Sequence, residues 1–201
     1  GCSLDIPLQT FDANATGVAR CLEAIRRFHP ACRFYSAGSS EEFGDVDYSP
    51  QDIQHPIRAR SPYGASKAAA RHLVKVYRES YSLYAVHGIL FNHESPRRGH
   101  NFVTRKITIA LGNISKGKQD KLVLGNINSL RDWGHAKDYV NGMYLMLQQE
   151  TPDDYILSTN EYHTVREFVE KSFALKGYNI KWKGEGINEI GYDEKTGREL
   201  I

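Results

Sequence analysis

Stretches that suit buried strands alternate along this chain with stretches long enough to be crossover helices, which restricts the fold to α/β with a mostly parallel sheet covered on both faces. Apolar periodicity predicts helices near residues 10–28, 62–81, 102–116, 135–149 and 164–176, and strands near 32–37, 85–91 and 154–158. The helix at 62–81 has a marked start, since Pro62 suits the first helical position. The polar stretch 44–60, with Pro50 and Pro56, is expected to be an exposed loop near the mouth of a cleft. With 201 residues, 40% of them hydrophobic, the chain can bury a core of single-domain size. No Gly-x-Gly-x-x-Gly follows a predicted strand, so these residues hold no glycine-rich phosphate-binding turn.

Charge and composition exclude several classes of partner. A formal net charge of +2 is too small to suit a polyelectrolyte, so nucleic acid is not expected, although clustered Arg and Lys suit a nucleotide diphosphate. No apolar run nears the ~18–20 residues that cross a bilayer, and no membrane association is expected. Cys2, Cys21 and Cys32 are odd in number and lack paired spacing, which argues against a disulfide framework or zinc site and fits a reducing, cytoplasmic setting. The histidines fall without metal-ligand spacing, so no metal is expected.

One cluster carries chemistry. Tyr63 and Lys67 stand four residues apart, on one face of the predicted helix. A free tyrosine ionises near pH ~10, so a useful base at pH ~7 needs its pKa lowered by roughly 3 units, or about 4 kcal/mol. A lysine cation in a desolvated cleft supplies interactions of that order. The plain alternative is a packed aromatic beside a solvated surface charge, because Tyr-x-x-x-Lys also arises by chance. Upstream, the apolar-aromatic run 33–38 is followed at once by Ser39-Ser40-Glu41. Small hydroxyl residues just past a strand's carboxyl end sit where open α/β sheets place their ligands. A polar turn or helix cap is the ordinary reading of the same residues.

From about residue 10 to residue 198 the chain resembles the GDP-mannose 4,6-dehydratase family of the extended short-chain dehydrogenase/reductase superfamily. The resemblance is carried by Arg60-Ser-Pro-Tyr-Gly-Ala-Ser-Lys67, Gly88-Ile-Leu-Phe-Asn-His-Glu-Ser-Pro-Arg-Arg-Gly99, Asn101-Phe-Val-Thr-Arg-Lys106, Arg131-Asp-Trp-Gly-His-Ala-Lys-Asp-Tyr139 and Val165-Arg-Glu-Phe-Val-Glu-Lys171. Tyr-x-x-x-Lys marks only the superfamily, whereas the loop at 92–99 and the Arg131-Asp-Trp-Gly-His stretch are far more specific.

The resemblance implies a Rossmann-like, doubly wound, mostly parallel sheet without its opening β-α units. It also implies part of a small C-terminal substrate-binding domain, in segments of roughly 92–130 and 160–201. On this view residues 1–201 are an internal piece of a longer dehydratase. The complete protein would then be an NADP-dependent lyase that converts GDP-D-mannose to GDP-4-dehydro-6-deoxy-D-mannose and water, a step towards GDP-fucose. The catalytic set would be Ser39, Glu41, Tyr63 and Lys67. NADP would be held by Tyr63, Lys67, His93 and Arg98, and the nucleotide sugar by Asn92, Val103, Lys106 and Arg131. Glu41 is expected to have its pKa raised by burial, and Arg97 and Arg98 to reach a neighbouring subunit in a dimer or tetramer. The family usually has threonine where this chain has Ser39, which keeps the hydroxyl and loses a rotamer-restricting methyl. Two other readings share part of this pattern: a nucleotide-sugar epimerase or reductase, which has no need of Glu41, and a fragment that is catalytically inactive by itself.

Overall fold

A computed structural model describes residues 2–201, which divide into two compact units: residues 2–93 with 134–160, and residues 94–133 with 161–201. The helices are α1 (Pro7–Phe11), α2 (Gly17–Phe28), α3 (Pro62–Tyr81), α4 (Val103–Ile114), α5 (Ala136–Met146) and α6 (Val165–Ala174). The strands are β1 (Phe34–Ala37), β2 (Ala85–Leu90), β3 (Asn92–Glu94), β4 (Leu130–Arg131), β5 (Trp133–His135), β6 (Asp154–Leu157), β7 (His163–Thr164), β8 (Ile180–Lys183) and β9 (Ile190–Asp193).

The first unit is a parallel sheet in the order β1-β2-β6, with α1, α2, α3 and α5. Every residue of β2 is buried, as its near-continuous apolar run requires of a central strand. The helix α3 spans the predicted 62–81. Ser61 caps it, its Oγ accepting from the Gly64 amide at 3.0 Å, and Pro62 fills the first turn. Its buried face is made of small residues, Gly64, Ser66, Ala68 and Ala70, followed by Val74, so the backbone lies close to the sheet. Val74, Leu22 and Ala85 form the core beneath it. Replacing Ser61 with Ala is expected to cost about 1 kcal/mol by orphaning the Gly64 amide, read as a lower thermal midpoint with unchanged far-ultraviolet circular dichroism.

Asp154, at the start of β6, ties α3 to the sheet. It accepts from Arg71 Nε at 2.8 Å and Arg78 Nη2 at 2.7 Å, with all three side chains 10–12% exposed. The two arginines stand two turns apart on one helix face, so both forks reach a single carboxylate.

The second unit packs α4 against α6. Ile107, Ala110, Leu111 and Ile114 repeat at helical spacing and meet Val169 and Phe173, with Leu122, Ile127, Ile180 and Leu200 closing the cluster. An antiparallel hairpin, β8-β9, and a two-residue pairing of β4 with β7 complete it.

The structure departs from the sequence expectations at several points, among them the short strands β3, β4, β5 and β7, which lie outside the expected strands. The first predicted helix is divided, with a π turn at Asp12–Thr16 in which the Gly17 amide bonds to the Asp12 carbonyl. A 3.6-residue periodicity cannot register such a single-residue bulge. The hairpin β8-β9 was not foreseen, because Lys181 and Lys183 dilute its apolar signal while Ile180 and Trp182 alone face the core. The stretch 44–60 contains no helix or strand, yet His55 within it is 2% exposed, accepting from the Asp47 amide through Nε2.

Candidate active site

The carboxyl ends of β1 and β2 position the site residues of the first unit. After β1 ends at Ala37 the chain turns through Gly38 into a one-turn 3-10 helix, Ser40–Glu42. Ser39 caps that turn: its Oγ accepts from the Glu41 amide at 3.3 Å, while its own amide donates to Glu42 Oε1 at 2.8 Å. Such a reciprocal cap fixes the backbone of all four residues.

The start of α3 lies directly against this turn. A Cβ built on Gly64 would sit 2.5 Å from the Glu41 carbonyl oxygen, so only glycine lets the helix come this close. Tyr63, its immediate neighbour, is thereby held beside the Ser39–Glu41 backbone. One turn further, Lys67 Nζ donates to the Ala37 carbonyl at 2.8 Å and lies 5.6 Å from the centre of the Tyr63 ring. Burial lowers the Lys67 pKa, and the charge of Glu42 partly offsets this. Ser39, Glu41, Tyr63 and Lys67, drawn from two separate stretches of sequence, therefore occupy one locality at the end of β1.

Beyond β2, Asn92 and His93 are half-buried in β3. His93 donates through Nδ1 to the Phe91 carbonyl at 2.9 Å, which leaves Nε2 as the other ring nitrogen. Its ring stacks on Tyr139 at 4.9 Å.

One expectation needs correcting. Glu41 is exposed, so burial within this unit does not act on its carboxyl group; the buried glutamate is Glu42, at 0% exposure. Adjacent residues of a 3-10 turn project about 120° apart, so one of two consecutive glutamates enters the core and the other leaves it. Sequence reasoning passed over Glu42 and its partner His87, also 0% exposed. The available signal was a histidine inside the apolar run Ala85-Val-His-Gly-Ile-Leu90.

The remaining candidates lie on the second unit. Arg98 pairs through Nε with Glu94 at 3.3 Å and stacks its guanidinium 3.5 Å from the centre of the Phe102 ring. Val103 opens α4 half-buried. Lys106 is exposed and donates from Nζ to the Val123 carbonyl at 2.7 Å. Arg131 is exposed and bonds to the Leu130 carbonyl at 2.7 Å. Val123 also lines a cleft of about 580 Å³ within this unit, bounded by Leu124, Gly125, Asn126, Trp182 and Ile201. Sequence reasoning missed this cleft, whose walls come from segments more than fifty residues apart. Trp133 packs on Phe168 at 5.4 Å as part of the core.

Residues 1–201 of the sequence match the family model for GDP-mannose 4,6 dehydratase. A GDP-mannose 4,6 dehydratase of Dictyostelium discoideum is 51% identical over 201 residues, covering 99% of this chain and 56% of that protein. GDP-mannose 4,6 dehydratase 1 of Arabidopsis thaliana is 57% identical over 185 residues, covering 90% of this chain and 50% of that protein. The chain spans about half the length of the curated relatives it matches. Among solved structures, RMD from Pseudomonas aeruginosa complexed with NADPH superposes with a TM-score of 0.79 at 22% identity, over 84% of this chain and 59% of that one. A dTDP-glucose 4,6-dehydratase from Bacillus anthracis in complex with NAD gives 0.76 at 24% identity, over 86% and 54%. These structural likenesses show a shared Rossmann-type fold.

Proposed function

The chain belongs to the GDP-mannose 4,6-dehydratase family, and on that premise we propose that the complete protein removes water from GDP-D-mannose to give GDP-4-dehydro-6-deoxy-D-mannose. The observation that supports the reading is the close approach of Gly64 to the Glu41 carbonyl, which brings the start of α3, where Tyr63 stands, up to the Ser39–Glu41 turn.

A nicotinamide dinucleotide suits the residues present. Tyr63, the desolvated Lys67 and His93 all follow the carboxyl ends of parallel strands, where open α/β sheets bind such ligands. We assign it to NADP, with Tyr63, Lys67, His93 and Arg98 as its contacts. When bound, it supplies a reversible hydride acceptor.

The protein residues act on protons. Tyr63 would take the proton of the C4 hydroxyl in the oxidation that the bound cofactor makes possible, Lys67 would hold the phenolate, and Ser39 Oγ would hydrogen-bond the C4 oxygen. The 4-ketone acidifies C5–H. Glu41 would remove that proton and return it to the C6 hydroxyl, which departs as water; with hydride restored to C6 from the bound cofactor, C5 would take the proton that Tyr63 gained from the C4 hydroxyl, so the protons balance. Since Glu41 is exposed in its unit, its desolvation falls to the bound hexose.

The second unit, with residues 94–133 and 161–201, is the substrate-domain part in this reading. Asn92, Val103, Lys106 and Arg131 serve the nucleotide sugar in this reading, the two cations meeting diphosphate charge. The exposed apolar side chains Leu8, Phe28, Val76 and Tyr81 on α1, α2 and α3 favour a homo-oligomer, a dimer or tetramer. An odd set of cysteines favours the cytoplasm, and among the described residues no helix is long and apolar enough to cross a membrane.

The test is turnover of GDP-mannose by the full-length protein with NADP, followed by proton NMR. A dehydratase yields a new methyl signal; a stereoisomer of unchanged composition would instead identify an epimerase. Replacing Glu41 with Gln is expected to lower methyl formation about 10²-fold while reduced cofactor is still seen at the first step. Full methyl production by that variant would remove Glu41 from its assigned role.

A further inference from the structure

Beneath the Ser39–Glu41 turn lies a polar chain that the reaction does not use. Ser36, on β1, and His87, on β2, are register partners, and their side chains meet at 3.1 Å between Oγ and Nδ1. His87 Nε2 lies 3.0 Å from Glu42 Oε1, and the same oxygen accepts from the Ser39 amide at 2.8 Å. One imidazole satisfies the chain when Ser36 donates to Nδ1 and Nε2–H donates to Glu42.

The connectivity is that of a serine-histidine-acid triad, but Ser36 is 2% exposed and His87 and Glu42 are 0% exposed. No substrate reaches this hydroxyl, so nucleophilic chemistry is excluded. Apolar side chains of similar volume would pack here without the cost of burying two ionisable groups. A reciprocal cap alone needs only a glutamate at the third position, open to solvent. Here the glutamate is driven inwards and anchored to the central strand. Space for it is made by Gly38, where a Cβ would lie 2.3 Å from His87 Nε2 and 2.6 Å from Glu42 Oε1. Its charge is also felt by Lys67.

We propose that Glu42, backed by His87 and Ser36, is a positioning residue that ties the Ser39–Glu41 turn to the central strand and so aims both side chains at the hexose. The proposal rests on the dehydratase reading and adds residues that never touch substrate. Ser36, Glu42 and His87 are buried and are not among the residues assigned to the nucleotide, so their loss is expected to act on the chemical step and not on binding. A displacement of ångström size in a reacting group costs up to ~10²-fold in rate.

Three variants of the full-length protein test it: Glu42→Gln, which keeps the Oε1 acceptor; Glu42→Leu; and Glu42→Leu with His87→Leu, which leaves no orphaned imidazole. The expected result is a kcat lowered roughly 10–10²-fold in both leucine variants, an unchanged KM for GDP-mannose, and recovery of most of the rate with Gln. Amide hydrogen exchange is read in parallel. The peptide covering 38–43 should exchange faster in the leucine variants, with the peptides of α3 and β2 unchanged. If the single leucine variant fails to fold, the double variant and Gln decide. An unchanged kcat in a folded leucine variant, a loss confined to KM, or no change in exchange at 38–43 overturns the proposal. Should the wild type not turn over GDP-mannose, the dehydratase reading fails, and the exchange pattern alone decides whether Glu42 holds the turn.

Discussion

Replacing Tyr63 with Phe is expected to lower kcat for GDP-mannose by about 10³-fold or more, with little change in KM. The substitution keeps the half-buried ring and removes only the oxygen that takes the C4 proton. General-base groups contribute roughly 10²–10⁴-fold, and 10³ is the middle of that range for a ring whose centre lies 5.6 Å from Lys67 Nζ. A factor of 10³ is about 4 kcal/mol, which matches the differential stabilisation needed to bring a tyrosine into use near neutral pH. The pH profile carries a second signature. Burial lowers the Lys67 pKa, opposed by the charge of Glu42, so the cation is lost below the ~10.4 of a free lysine. The alkaline limb of kcat/KM should therefore fall earlier than free lysine would dictate. Undiminished turnover by the Phe variant would exclude Tyr63 as the base.

Replacing Asp154 with Ala is expected to destabilise the first unit by about 3–5 kcal/mol, since it leaves Arg71 and Arg78 buried without their shared acceptor. Burial pushes the Asp154 carboxyl up, and hydrogen bonds from Arg71 and Arg78, aided by their charges, more than reverse this and hold it below the usual carboxylate range. A carboxylate with a depressed folded value stabilises the fold above its unfolded value near ~3.9, and this is lost as pH falls through the folded value. The wild type should thus lose stability steeply below pH ~4, and the Ala variant should show a flatter dependence there. Urea titrations followed by circular dichroism between pH 3 and pH 7 measure both effects. Equal slopes in the two proteins would show that the pair carries no such linkage.

The helix at 62–81 was legible because its determinants are local. Ser61 and Pro62 set its start, and small residues at helical spacing set its buried face. The spacing of Tyr63 and Lys67 on one face followed from the same 3.6-residue period. The three strands of the parallel sheet were equally visible as short apolar runs bounded by polar turns. In the second unit, α4 and α6 stood out for the same reason, whereas the hairpin β8-β9 hid behind alternating lysines.

Which of two adjacent glutamates faces inwards was not written in any local pattern. The choice depends on His87, a residue 45 positions away from Glu42 that arrives there through the pairing of β2 with β1. Likewise, only packing revealed that Gly64 admits the Glu41 carbonyl and that Asp154 gathers Arg71 and Arg78. The sequence by itself therefore determined the long helices, the three strands of the parallel sheet and the reactive groups beside them, because helical and strand periodicity arises from hydrogen bonds and apolar contacts between near neighbours. Burial, partner choice and the shape of the site were decided by the tertiary structure alone, because they depend on strand register and close backbone approach between segments far apart in the chain.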